Sequence, residues 1–144
     1  MELSRGIFAL DQATCATDRG EFVRRGNKDL MMTIKFEDLR KANASRGVEW
    51  CGRPNSIEDL EFCAIELGGE TGEALDAVKK YLRDLKGFIG GVGGKEGLQD
   101  IADELGDVVI SADRLAETLG IDLGKAVQDK FNKTTEKHGL ETTL

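Results

Sequence analysis

The sequence predicts an all-α protein, a helical bundle of three long helices and a shorter N-terminal helix. Apolar residues recur at helical spacing over long stretches, and no segment alternates apolar and polar residues with the period of a strand. The 144 residues include one proline, which suits long helices. A chain of this length buries one core, so we expect one domain.

Composition excludes several classes of protein. No apolar run approaches the roughly 20 residues that span a bilayer. The chain has 20 basic and 27 acidic residues, a formal net charge of -7, and no basic cluster that would bind a phosphate backbone. These features argue against a membrane span and against duplex nucleic acid as a partner. The first 20 residues lack a secretory signal, so we expect a cytoplasmic protein.

The N-terminal quarter gives the weakest helical pattern. Residues 1–31 show little periodicity and are interpreted as an N-terminal extension of uncertain order, followed by a helical domain over residues 32–144. That domain opens with a shorter helix, with Thr33 as a candidate N-cap, ending at about Arg46. We expect a loop over residues 47–55, which contains Trp50 and Pro54.

A capping box over residues 56–59 predicts the start of a long helix that ends at about Lys86. Its apolar residues form one stripe that we expect to face the core: Leu60, Cys63, Ala64, Leu67, Ala74, Leu75, Val78, Tyr81, Leu82 and Leu85. Residues 86–97 contain six glycines, which predict a mobile connection.

Two further helices follow the glycine-rich segment. The first is predicted from about Leu98 to Thr118, with Gly120 just past its end. The second has Asp122 as its candidate N-cap and ends at Gly139.

Acidic residues form a row on each of the first two long helices. Glu66, Glu70 and Glu73 share one helix face at spacing i, i+4, i+7, and Glu104 and Asp107 share one face of the next helix. Both rows border the apolar face, so an antiparallel pair of helices would bring them together. Clustered carboxylates repel one another unless they bind a hard cation or are protonated, and oxygen ligands suit Mg²⁺, with Mn²⁺ as a substitute.

Simpler interpretations apply to each pair alone. Acidic residues on helices are commonly solvated surface, and an E-x-x-E or E-x-x-D pair carries little information by itself. A di-iron bundle needs Glu-x-x-His pairs, and the sequence has one histidine, which lies near its end. The segment from Gly90 to Lys95 lacks the spacing and the Ser/Thr of a phosphate-binding loop.

Together the two pairs resemble the signature of the MazG-like all-α nucleoside triphosphate pyrophosphohydrolases, which include dimeric dUTPases, dCTP pyrophosphatases and phosphoribosyl-ATP pyrophosphohydrolase. The signature is E-x-x-E, a spacer, then E-x-x-D, matched here by Glu70 to Glu73 and by Glu104 to Asp107. The likeness extends over residues 32–139. Two departures are a slightly long spacer of 30 residues and Gly69, which stands where many members have another Glu.

The resemblance implies an enzyme that hydrolyses a nucleoside triphosphate to a monophosphate and pyrophosphate. Mg²⁺ would be held by Glu70, Glu73, Glu104 and Asp107. Glu66 would be a further ligand or the general base for the attacking water, so the implied catalytic side chains are Glu66, Glu70 and Glu73.

Four other residues are candidate substrate contacts. Trp50 matches an aromatic that stacks on the nucleobase in similar sequences, although a core role also fits. Lys80 continues the acidic row and Lys130 interrupts an apolar stripe, so both could contact phosphate or simply lie at the surface. The amide of Asn132 could bind the base or sugar, or cap backbone near a helix end.

Two expectations concern the whole chain. A bundle with so few long helices leaves an apolar face to bury, so we expect a homodimer or homotetramer, as in the family. The alternative to an enzyme is a non-catalytic helical module that binds nucleotide or a protein partner, which the departure at Gly69 would permit. Base and sugar preference depend on pocket contacts that the sequence does not place.

Overall fold

The computed structural model describes residues 34–144, which form four α-helices and no strand. α1 spans Phe36–Cys51, and a 3-10 turn over Ile57–Asp59 leads into the second helix. The remaining helices are α2 (Leu60–Leu85), α3 (Gly94–Thr118) and α4 (Leu123–Lys137). The all-α prediction is confirmed. Residues 1–31, the boundary at residue 32 and the candidate N-cap Thr33 lie outside the described residues.

None of the helices between residues 34 and 144 combines the length and the apolar character that a membrane span requires.

α1 ends at Cys51, five residues later than predicted, so Trp50 lies in its last turn and not in a loop. Gly47 does not end the helix because it is buried at a close contact, where an added Cβ would lie 3.3 Å from the Asn55 amide. The helix ends at Gly52, whose φ of 71° is left-handed and whose N–H donates to the Val48 carbonyl at 2.8 Å.

The predicted capping box is present. The Ser56 hydroxyl accepts from the Glu58 N–H at 3.3 Å, and the Asp59 carboxylate accepts from the Ser56 N–H at 2.9 Å. Arg53 also donates to both oxygens of Asp59 at 2.8 Å. These contacts fix the start of α2, which carries the first acidic row.

The six glycines of residues 86–97 have two structural explanations: close contacts at Gly91, Gly93 and Gly97, and positive φ at Gly87, Gly90 and Gly94. A Cβ at Gly91 would lie 2.3 Å from the Asp84 backbone nitrogen, and one at Gly97 would lie 2.2 Å from the Val92 carbonyl. α3 begins at Gly94, four residues earlier than predicted, because the glycines that suggest a break instead admit this contact.

The helices α2 and α3 are antiparallel neighbours. Contacts pair Glu66 with Arg114 near one end and Tyr81 with Gly97 near the other. α3 ends before Gly120 and α4 before Gly139, both with positive φ, and the Asp122 side chain caps α4 by accepting from the Lys125 N–H at 2.9 Å. These ends agree with the sequence prediction.

A buried polar network joins α1 to α3. Asp113 is 1% exposed and accepts from Arg40 Nε at 3.0 Å and Nη2 at 2.8 Å. Asn43, which is 2% exposed, donates to the same carboxylate at 3.0 Å. The hydrogen bond to Asp113 raises the pKa of Arg40 further above its ordinary value. The network fixes α1, and with it Trp50, relative to α3.

Small residues form the buried core. The buried apolar residues among the described ones are Cys63, Ala74, Ala77 and Ala116. The predicted stripe on α2 is therefore only partly buried: Cys63 and Ala74 are buried as expected, whereas Leu75 and Leu85 are 67% and 65% exposed. Within residues 34–144, the outer part of this stripe is exposed.

Candidate metal site

The two acidic rows meet across α2 and α3. One carboxylate oxygen from each of Glu70, Glu104 and Asp107 lies within 4.8 Å of the other two. Glu70 and Glu104 are half-buried and Asp107 is exposed. We call these three residues the carboxylate group. The antiparallel pairing of the helices produces it, because each row borders the surface where α2 and α3 pack.

The carboxylate group is electrostatically strained. Burial raises the pKa of Glu70 above its ordinary value, and the charges of Asp107, Glu73, Glu104 and Glu66 raise it further, in that order. Within residues 34–144 no lysine or arginine forms a salt bridge with any member of the group. The negative charges are therefore gathered without a described cation to offset them.

This donor set fits a hard divalent cation. Its ligands are carboxylate oxygens only, which such ions prefer over nitrogen and sulfur. The group is open on the side of Asp107, so water or a phosphate oxygen has room to complete the coordination. A bound cation would also remove the repulsion that raises the Glu70 pKa.

The other predicted acidic residues lie beside the carboxylate group. Glu73 is exposed and is not one of the three converging residues, although its charge contributes to the Glu70 pKa. Glu66 lies one turn before Glu70, and both of its oxygens accept from Arg114 Nη1, at 2.5 and 2.6 Å. The structure thus brings three of the four predicted metal ligands together and pairs Glu66 with a cation.

Trp50 lies close to two guanidinium groups. Its ring centroid is 5.0 Å from Cζ of Arg46 and 5.7 Å from Cζ of Arg114, within the range of cation–π attraction. The ring is 64% exposed, so the core role is excluded for the described chain. Because Arg114 also binds Glu66, it links Trp50 to the acidic row of α2.

The remaining predicted contacts are not gathered at the carboxylate group. Lys80 is exposed and its ammonium lies 3.0 Å from Asp76 on the same helix. Lys130 lines a shallow apolar groove on α4. Asn132 binds the backbone of Leu144, accepting from its N–H at 2.9 Å and donating to its carbonyl at 3.2 Å.

Sequence reasoning missed Arg114, which is 5% exposed. A signal for it was present. Arg114 lies seven residues after Asp107, hence on the same face of α3, and Glu66 lies four residues before Glu70. Because α2 and α3 are antiparallel, residues after Asp107 on α3 lie opposite residues before Glu70 on α2. Arg114 therefore lies near Glu66, beside the carboxylate group.

Comparison with known proteins identifies the class to which this fold and site belong. The sequence model of the MazG nucleotide pyrophosphohydrolase domain matches residues 60–139. The chain belongs to this family.

A curated relative is the gene 37 protein of Mycobacterium phage L5. It is 39% identical over 82 residues, which cover 57% of this chain and 68% of that protein. No solved structure matches the chain significantly.

Proposed function

We propose that the protein is a Mg²⁺-dependent pyrophosphohydrolase that acts in the cytoplasm and converts a ribo- or deoxynucleoside triphosphate to the monophosphate and pyrophosphate. The observation that supports this most directly is the convergence of Glu70, Glu104 and Asp107 from two helices. Membership of the MazG nucleotide pyrophosphohydrolase family supports the reaction class.

In this proposal the carboxylate group holds Mg²⁺, and Glu73 binds on its exposed side. Bound Mg²⁺ would offset negative charge on the phosphates and lower the pKa of a coordinated water. Without a cation the four carboxylates would repel the triphosphate. With a cation bound, their position would determine where the phosphates lie. Hydrolysis breaks the anhydride between the α and β phosphates: the water oxygen ends on one of these two phosphorus atoms, the bridging oxygen stays on the other, and the monophosphate and pyrophosphate are released.

Substrate contacts come from outside the acidic rows. The exposed face of Trp50 is available to stack on a nucleobase, and the Arg46 guanidinium lies beside the ring. Lys80 and Lys130 are proposed phosphate contacts, since both ammonium groups lie on exposed residues. Asn132 is a proposed base or sugar contact in an assembled oligomer, in which a neighbouring subunit completes the site.

The test is product release from a panel of ribo- and deoxynucleoside triphosphates with Mg²⁺, with Mn²⁺ and with chelator. We expect monophosphate and pyrophosphate from a subset of the panel, no product with chelator, and a loss of about 10²-fold or more in kcat/KM for Glu104→Gln. The matched control is Glu61→Gln, an exposed acidic residue on α2 that lies outside the acidic row. Its kcat/KM should equal that of the wild type.

A folded protein that is silent across the panel would contradict the proposal. Nucleotide binding without turnover would then identify the chain as the non-catalytic module.

A further inference from the structure

Glu66 is held by an ion pair that the rest of the site does not require. It lies one turn before Glu70, its side chain is 22% exposed, and its partner Arg114 is 6% exposed. Both carboxylate oxygens accept from Arg114 Nη1. With both oxygens turned to Arg114, Glu66 is not one of the carboxylates that converge at the carboxylate group.

Stability alone is a weak explanation of the pair. A buried ion pair is commonly no more stabilising than apolar residues of the same volume, because both charges lose their hydration. Arg114 carries a further cost, since its Nε is buried and has no hydrogen-bond partner among the described residues. The burial of the Arg114 guanidinium beside Glu66 therefore needs another explanation. We look for it in the neighbouring carboxylate group.

The position of the pair relative to Glu70 indicates that explanation. Glu66 lies four residues before Glu70 on the face of α2 that carries the acidic row, so its charge stands beside the carboxylate group. Arg114 is the cation that offsets that charge. Without it, a fifth carboxylate would stand free beside the group and add both a ligand and a negative charge.

We propose that Arg114 is a positioning residue that keeps Glu66 out of the metal site, so that Glu66 neither ligates the cation nor acts as the base. The inference rests on the proposed function, because it concerns how this chain holds its metal. Arg114 limits the negative charge at the site and thereby sets the affinity for the cation. It also ties the acidic row to Trp50, whose ring it approaches.

The test is the affinity of the nucleotide-free protein for Mn²⁺, followed by electron paramagnetic resonance, in Glu66→Gln, Arg114→Gln and the double variant. The double variant removes both charges of the pair and should bind Mn²⁺ within about threefold of the wild type. Arg114→Gln frees Glu66 and should bind roughly tenfold more tightly. Glu66→Gln leaves Arg114 unpaired and should bind more weakly than the double variant.

A double variant that loses tenfold or more would overturn the proposal, because it would show that Glu66 itself is a ligand. The double variant also covers the case in which a single variant folds poorly, since it leaves no unpaired charge in the interior. A wild-type protein that binds no Mn²⁺ would overturn the metal site as well. Binding by the wild type with loss in the double variant would overturn the role of Arg114 alone.

Discussion

Glu73 is the proposed metal ligand that lies outside the carboxylate group. It matches the family signature, is exposed, and lies outside the three converging carboxylates. We expect Glu73→Gln to lower kcat/KM by about tenfold or more, because the amide cannot supply the negative charge that the cation needs. Steady-state kinetics beside Glu61→Gln would measure this, and an unchanged kcat/KM would remove Glu73 from the site.

Asp59 makes a pH-dependent contribution at the start of α2. The hydrogen bond from Arg53, with that from the Ser56 backbone, lowers its pKa to about 2, below its ordinary value of 3.8. A carboxylate whose pKa is lowered by folding stabilises the protein above its unfolded pKa. This contribution should be complete at neutral pH and be lost as the pH falls from about 4 to about 2.

The variant Asp59→Asn isolates this effect, because asparagine keeps an acceptor for the capping box and loses the charge that binds Arg53. Urea unfolding at pH 7 should show a lower midpoint for the variant than for the wild type. The two midpoints should converge by about pH 2. A difference that is the same at both pH values would show that the charge plays no part.

At the scale of the helices, two glycines of α3 differ in the space around them. Gly97 is buried, and a Cβ there would meet both Val92 and the ring of Tyr81. Gly106 lies within the same helix, and a Cβ there would meet nothing within 4 Å. We expect Gly97→Ala to destabilise the protein by about 1–3 kcal/mol through overpacking.

Gly106→Ala is the matched comparison and should stabilise α3 by roughly 0.5–1 kcal/mol, since alanine is the better helix former. The free energy of unfolding from denaturant titration measures both. Destabilisation by Gly106→Ala would instead indicate that another surface lies against this face, as a neighbouring subunit would.

The helices themselves were predictable because their signals are local. The capping box at Ser56, the cap at Asp122 and the glycines that end α3 and α4 each involve residues close in sequence. The predicted end of α1 was wrong because Gly47 lies inside the helix, where it packs closely against the Asn55 side chain. The local sequence pattern does not reveal this contact. The start of α3 was wrong for the same reason, since contact with α2 decides it.

The convergence of Glu70, Glu104 and Asp107 could be predicted because it needs only helical spacing and an antiparallel pair of helices. The pairing of Glu66 with Arg114 was not predicted, because it requires the register between two helices and not only the face of each. The register follows from the close packing at Gly91 and Gly97, which helical spacing alone does not give.

For the whole molecule, exposure of apolar residues indicates self-association. Among residues 34–144 no leucine, isoleucine, valine or phenylalanine is fully buried. Phe88, which follows α2, is exposed, as are three leucines of the apolar stripe on that helix: Leu75, Leu82 and Leu85. Large contiguous apolar surfaces of this kind mark protein interfaces.

We therefore expect a homodimer or homotetramer in solution. Light scattering coupled to size exclusion measures this, and substitution of Leu82 by Glu should shift the mass toward the monomer, because a charge would be buried in the interface. Glu61→Gln, which adds no charge, serves as the control. A wild-type monomer at micromolar concentration would contradict the expectation.

The carboxylate group is proposed to direct hydrolysis to the bond between the α and β phosphates. Phosphorus NMR of the products from one triphosphate that the panel shows to be a substrate, with Mg²⁺ present, tests it most directly. We expect the signals of the monophosphate and pyrophosphate from the wild type, and neither signal from Glu104→Gln over the same time. Release of a diphosphate and inorganic phosphate, or equal turnover by Glu104→Gln, would contradict it.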